Sequence, residues 1–447
     1  MRSGRSLIIL LLIAGGLGGY IYFVEMQRDP MADAESTREK VFALTPGAIE
    51  QVEVTNASAE TTALARTDGN WVITAPARTE ADTVEVSTVV SSIESLEQTR
   101  VVAEAPESAA PFGLDPARMT IAFQTADDTT PRRLLIGNKT PTGGDLYAKV
   151  EGSPKVFLIG GYLEDTFNKS TFDFRDKSVL KFARDAADSV AIVEGNTRLA
   201  FATSGSDWRL TAPIAARADF SAVDGLISRL FQARMGELVT ADGSGNLRDY
   251  GLDRPQMTVT VGAGSSQAQL AIGKAQNETN VYARDLSRPL VFTVEQSLVD
   301  ELKKKPEDVR VKDVFAFRSF NATGFDITVD GTNYSFAKTK GEGDNPADVW
   351  SMSLPTAKTV DATKMSDMLT TASNLRAESF ATSAFSSGDT VTMTARFGDA
   401  NNPQTETVTF RKSGDVVHAI RDGEPGAAVV STIDFDRVLT LLREITS

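Results

Sequence analysis

Residues 71–82 read WVITAPARTEAD, residues 208–219 read WRLTAPIAARAD, and residues 350–361 read WSMSLPTAKTVD. The shared frame is Trp, then Pro five positions on, then Asp six beyond that: Trp71, Pro76 and Asp82; Trp208, Pro213 and Asp219; Trp350, Pro355 and Asp361. It uses every tryptophan in the chain and recurs at spacings of 137 and 142 residues, so the body reads as a tandem repeat. Each landmark has a structural task. A strand ends near the Trp, and the Pro stops sheet pairing because it has no N–H to donate. The Asp then opens a helix, its carboxylate accepting from the free N–H groups of the first turn. In the first copy Glu85 completes a capping-box pattern. A ligand pocket with an aromatic platform and a carboxylate is the competing reading. The flanking periodicity accounts for all three residues without it.

Outward from the frame, three helical stripes follow the Asp positions. They are Val86, Val89, Val90, Ile93 and Leu96; Val223, Leu226, Ile227, Leu230 and Phe231; and Met365, Met368, Leu369, Ala372 and Leu375. Each needs a sheet face to cover. Beyond the helices, Phe112-Gly113-Leu114-Asp115-Pro116 matches Tyr250-Gly251-Leu252-Asp253-Arg254-Pro255, a turn leading into alternating strands. Leu134-Leu135-Ile136-Gly137 matches Leu270-Ala271-Ile272-Gly273, and Tyr147-Ala148 matches Tyr282-Ala283. Arg175-x-Lys177 matches Arg310-x-Lys312 and reads as a junction with solvated charges. The third copy is degenerate: it keeps the Trp frame and a Val417-His418-Ala419-Ile420 strand but lacks the Gly-Leu-Asp-Pro turn. The expected class is α+β, three tandem copies at 47–183, 184–318 and 319–447. Each is a mainly antiparallel sheet packed by one or two helices.

The N-terminus sets the address. Leu7–Val24 is an uncharged, mostly apolar run, long enough at about 1.5 Å per residue to cross most of a hydrocarbon core. Arg2 and Arg5 precede it, which keeps residues 1–6 cytoplasmic and sends the body across the membrane after a linker at 25–46. A cleaved signal peptide is the alternative, since Ala32-Asp33-Ala34 resembles a cleavage site; its distance from Val24 and the intervening charges favour an uncleaved anchor. The expected location is the bacterial inner membrane, single-pass, with the body in the periplasm. Gly15 and Gly19 put small residues on one face of this helix. That face suits docking on a partner helix or self-association, and equally fits the general abundance of glycine in such helices.

Composition closes off several chemistries. The chain has 447 residues, no Cys and one His, with 46 basic against 60 acidic residues for a net charge of −14. Thiolate metal sites, cysteine nucleophiles and multi-His metal centres are excluded. The acidic balance argues against nucleic acid. No catalytic, cofactor or metal residues are assigned. His418 stands at the position of Tyr147 and Tyr282 and reads as a half-buried strand residue rather than a base. Asp242-Gly243-Ser244-Gly245-Asn246 is followed by Leu247 where a calcium loop needs Gly, and the acid at its twelfth position, Asp253, already belongs to the repeated turn, so it reads as a polar loop. Ile136-Gly137-Asn138-Lys139-Thr140 lacks the upstream Gly of a phosphate loop.

In combination, the single N-terminal helix, the W-x4-P-x5-D frame, the Tyr-Gly-Leu-Asp-x-Pro turn, the Leu-x-Ile-Gly strand and the Arg-x-Lys junction resemble the family called domain of unknown function 4340. The likeness runs from about Val41 to Ser447 and is clearest in the first two copies. Members of that family are bacterial envelope proteins often encoded beside gliding-motility-type ABC transporter components. The resemblance implies an accessory role in such a complex, with a permease or auxiliary subunit as partner, and supplies no catalytic residues. The expectation is therefore a non-enzymatic, membrane-anchored scaffold acting through protein contacts. The alternative is an envelope glycan-binding protein or a carboxylate-based glycan hydrolase, which would need two acids facing one cleft about 5–10 Å apart.

Overall fold

The computed structural model describes residues 39–128, 130–340, 348–399 and 401–447. The expected transmembrane segment Leu7–Val24, with Gly15 and Gly19, lies outside the described residues. Among the described residues no helix is long and apolar enough to cross a membrane. What is described is α+β and rests on three nine-stranded antiparallel sheets.

The first copy runs β1 (Glu39–Lys40), β2 (Ile49–Thr55), β3 (Thr61–Thr67), β4 (Asn70–Ala75), β5 (Thr79–Glu80), α1 (Thr83–Glu94), β6 (Glu97–Gln98), β7 (Arg100–Ala103), β8 (Met119–Thr125), β9 (Arg132–Lys139), β10 (Asp145–Val150), β11 (Val156–Gly160), α2 (Leu163–Phe167) and α3 (Thr171–Phe174). Its sheet has the order β5-β4-β3-β2-β8-β9-β10-β11-β7, with β1 and β6 paired apart from it. The second copy runs β12 (Ser189–Glu194), β13 (Thr197–Ser204), β14 (Asp207–Ala212), β15 (Ala216–Arg217), α4 (Phe220–Gln232), β16 (Leu238–Thr240), β17 (Met257–Ala263), β18 (Ser266–Ala275), β19 (Asn280–Asp285), β20 (Val291–Glu295), α5 (Gln296–Leu302) and α6 (Pro306–Val309). The third runs β21 (Ala322–Val329), β22 (Thr332–Lys340), β23 (Asp348–Leu354), β24 (Lys358–Thr359), α7 (Ala362–Ser373), β25 (Ala377–Ala381), β26 (Asp389–Asp399), β27 (Asn402–Ser413), β28 (Val416–Arg421), β29 (Ala427–Val430) and α8 (Thr432–Thr446).

All three sheets have one topology: β15-β14-β13-β12-β17-β18-β19-β20-β16 in the second copy and β24-β23-β22-β21-β26-β27-β28-β29-β25 in the third. The third copy, degenerate in sequence, is thus complete as a sheet. It differs in its closing element, one long helix α8 where the others have two short ones.

Strand alternation sets the core. Ile49, Val52 and Val54 of β2 point inward, and the apolar stripe of α1 (Val86, Val89, Val90, Ile93) packs in the same cluster. Val223, Leu226, Ile227 and Leu230 of α4 are buried, as are Met365, Met368, Leu369 and Ala372 of α7. Each of the Val, Leu, Ile and Met side chains contributes about 1.5–3 kcal/mol by leaving water. Phe231 is a correction to the expected stripe: it is 44% exposed and packs edge-on against Phe182, ring centroids 5.9 Å apart.

The chain divides between Lys177 and Ser178 into two compact units, so the second and third copies share one of them. In every copy the entering segment, upstream of residues 47, 184 and 319, bonds to the backbone just past that copy's main helix. Val41 N–H donates to Leu96 O at 2.8 Å, Val179 to Ala233 O at 3.2 Å, and Val314 to Leu375 O at 3.0 Å.

Candidate functional site

The Trp frame is built identically three times. Trp71, Trp208 and Trp350 are 4%, 8% and 6% exposed, so no ring face is left open as a platform. Their carbonyl oxygens accept from Ala81 (3.3 Å), Ala218 (3.1 Å) and Val360 (3.0 Å), which folds the chain back after Pro76, Pro213 and Pro355. The peptide bond before each of these prolines is cis. Asp82 caps α1 by accepting from Val84 (3.0 Å) and Glu85 (3.3 Å). Asp219 caps α4 through Ala222 (2.9 Å), and Asp361 caps α7 through Thr363 and Lys364 (2.9 and 3.0 Å). The Glu85 side chain does not serve a capping box as its spacing suggested. Its carboxylate pairs with Lys169 at 2.9 Å, while the Asp82 N–H donates to Phe174 O.

The turn crossing the sheet explains the Leu-x-Ile-Gly strand. A Cβ on Gly137 would lie 2.1 Å from Phe112 O, and one on Gly273 would lie 2.1 Å from Tyr250 O. The glycine is required by this close backbone approach, beyond merely ending a strand. The turn aromatic then packs on the neighbouring strand: Phe112 on Tyr147 and Tyr250 on Tyr282, both with centroids 5.1 Å apart. In the third copy, strand register places Arg411 where Gly137 and Gly273 stand, because Phe410 pairs with Ala419 as Ile136 pairs with Ala148. The Arg411 guanidinium donates to Phe385 O, and the Phe385 ring stacks on His418 at 3.8 Å. Phe385 therefore replaces the turn aromatic that the sequence lacked. His418 is 6% exposed, more buried than its strand position suggested, and its Nδ1 accepts from Phe385 N–H at 3.2 Å. Burial pushes its pKa below the ordinary 6.5.

The junction arginines overturn the solvated reading. Arg175 and Arg310 are each 6% exposed. Arg175 forms an antiparallel bridge with Ala81 and donates to Thr79 Oγ1 at 3.2 Å. Arg310 bridges Ala218 in the same way, and Val311 N–H donates to Arg217 O. Within the second unit, Arg310 of the second copy then reaches two groups of the third. Its guanidinium lies 3.9 Å from the centroid of Phe380, and one nitrogen is 3.3 Å from Glu424 Oε2. Glu424, 11% exposed, also accepts from Arg217 Nε at 2.7 Å and lies 3.7 Å from Arg421 Nε. Arg217 in turn donates to Asp313 O (2.9 Å), and Arg421 to Val314 O (3.1 Å). Three arginines converge on one shielded carboxylate at the joint between two copies. Their attraction is strong there because little water screens it. Arg217, Phe380, Arg421 and Glu424 were not singled out from sequence. The available signal was Arg217, which stands just before Ala218 and the Asp219 cap where the first copy has Glu80.

The Asp242 loop is a polar turn: Asp242 Oδ1 accepts from Ser244 N–H at 2.9 Å, and the bonds from Ser244 hold its carboxyl below the usual range. Among the described residues no cluster of three His, Cys, Asp or Glu side chains is arranged to hold a metal ion.

No curated protein matches the chain. Among solved structures, the crystal structure of a DNA polymerase sliding clamp from Pseudomonas aeruginosa with ligand aligns over 90% of this chain and 96% of that one. The identity is 10% and the TM-score 0.15, too low to carry an argument. A family model, Domain of unknown function (DUF4340), matches twice in tandem, over residues 71–207 and 208–398. Each match begins on a frame tryptophan, Trp71 and Trp208, and together they span most of the sequence, so the chain belongs to the DUF4340 family.

Proposed function

We propose that this protein is a membrane-anchored periplasmic scaffold that works by touching a partner, as an accessory component of an ABC-type transport complex. The observation that carries the reading is that what recurs in all three copies is architecture. The Trp, Pro and Asp landmarks are spent on folding, and the buried arginine cluster fastens one copy to the next within a unit. A repeated module joined in this way supplies extended surface. The exposed Phe220, Phe320 and Ile433 (63%, 81% and 83%) are side chains on which a partner would lose water.

The test is gentle detergent extraction of the full-length protein beside a version lacking residues 1–30, with the neighbouring genes expressed. A permease co-purifying with the full-length form supports the proposal. Recovery of the full-length protein alone would count strongly against it.

A further inference from the structure

Behind Arg310 lies a small cavity at the joint of the second and third copies, about 20 Å³ of room for the centre of a water-sized particle. Its charged lining is Arg217, Arg310, Lys312 and Arg421 against Asp313 and Glu424. Cations exceed anions here, in a chain whose net charge is −14. The carboxylates are already engaged: Glu424 by Arg217 and Arg310, Asp313 by Arg318 at 2.6 Å and Arg376 at 3.2 Å, and Glu406, just outside the lining, by Arg421. One charged donor is left over. Arg310 is 6% exposed, and its buried Nε has no hydrogen-bond partner. A guanidinium N–H shut away from water without an acceptor is costly, so an acceptor belongs at this position.

We propose that this cavity binds a single halide ion, chloride under ordinary conditions, held by Arg310 Nε among the neighbouring guanidinium groups. The acceptor must be small, because the space admits about one particle of water size and has no room for a phosphate or sulfate. An anion fits better than a water: with Lys312 in solvent and Asp313 held by Arg318 and Arg376, three shielded arginines (Arg217, Arg310, Arg421) face two carboxylates, Glu424 and Glu406, and a water would satisfy the N–H but leave that surplus charge. An ion seated there ties the second copy, through Arg217 and Arg310, to the third, through Arg421. It adds to the stability of that joint by mass action.

Two measurements on the full-length chain test this. Crystals grown with bromide in place of chloride should show an anomalous peak within hydrogen-bonding reach of Arg310 Nε. The thermal midpoint at constant ionic strength should rise when gluconate is exchanged for chloride, by about 3 °C for each tenfold increase above the dissociation constant. Arg310→Lys keeps the charge, removes Nε and should flatten that dependence. If this variant does not fold, the parent's gluconate–chloride comparison and the bromide map decide alone. A cavity occupied by water only, or equal midpoints in gluconate and chloride, overturns the proposal.

Discussion

In the second copy the turn backbone at Tyr250 comes down so close to its strand that position 273 admits only glycine. In the third copy the same strand position is Arg411, and the turn stands off far enough for a guanidinium to reach up to Phe385 O. The ring above the strand survives the change: Tyr250 on Tyr282 becomes Phe385 on His418. The sheet below keeps its strand order, but the pairing changes at this point: the first two copies slip register just past Ile136 and Ile272, and the third pairs without a break from Val408 to Ser413. The module therefore tolerates replacement of a whole turn motif provided an aromatic cover remains beside the inward alanine, Ala283 or Ala419. Backbone pairing and the Trp frame specify the fold, and the turn chemistry is one of at least two ways to roof it.

Several substitutions break or sharpen this comparison. The frame should be equally demanding in both copies, so Trp208→Ala and Trp350→Ala should each cost about 3–5 kcal/mol, the range for emptying a large aromatic from a core. Denaturant unfolding checks this, and a cost confined to one copy would end the equivalence. The turns should then differ. Gly273→Ala should cost about 1–3 kcal/mol because its Cβ meets Tyr250 O. Arg411→Ala, which removes one bond to a carbonyl, should cost about 1 kcal/mol. The same unfolding curves rank the two, and a neutral Gly273→Ala would show that the turn can lift away.

The caps come next in size. Asp219→Ala and Asp361→Ala should each lose about 1 kcal/mol, while Asp→Asn at either site should lose little, since an amide oxygen also accepts from the first turn. Helix content during thermal unfolding reports both. The smallest effect is pH dependence at His418. Because its folded pKa lies below 6.5, the unfolded chain binds the proton more readily. That contribution to stability is complete above pH 6.5 and is lost as the pH falls from there through the folded value. His418→Tyr installs the residue found at this position in the other copies. It should remove that slope from denaturant midpoints measured between pH 7.5 and about 5; an unchanged slope would assign the proton elsewhere.

The parts legible in the sequence are those governed by short-range period. The Trp-Pro-Asp frame and most of the three helical stripes sit within single turns and strands, where spacing alone selects the inward side chains. The completeness of the third sheet was harder to see. Its turn aromatic, Phe385, has no motif around it, and only the register of Phe410 with Ala419 reveals what Arg411 replaces. The buried junction was out of reach for a different reason. Arg310 and Glu424 are 114 residues apart, and nothing near either announces the other. An arginine beside a lysine in a linker ordinarily faces water; here the following copy brings Phe380 and Glu424 over it.

The entering segment makes the same first bond in every copy, whether the donor is Val41, Val179 or Val314. A module that always receives the segment leading into it just past its main helix carries its start signal at that seam. Such a chain can gain or shed whole modules at a recurring seam, so its reach becomes adjustable in fixed increments without the joint being reinvented.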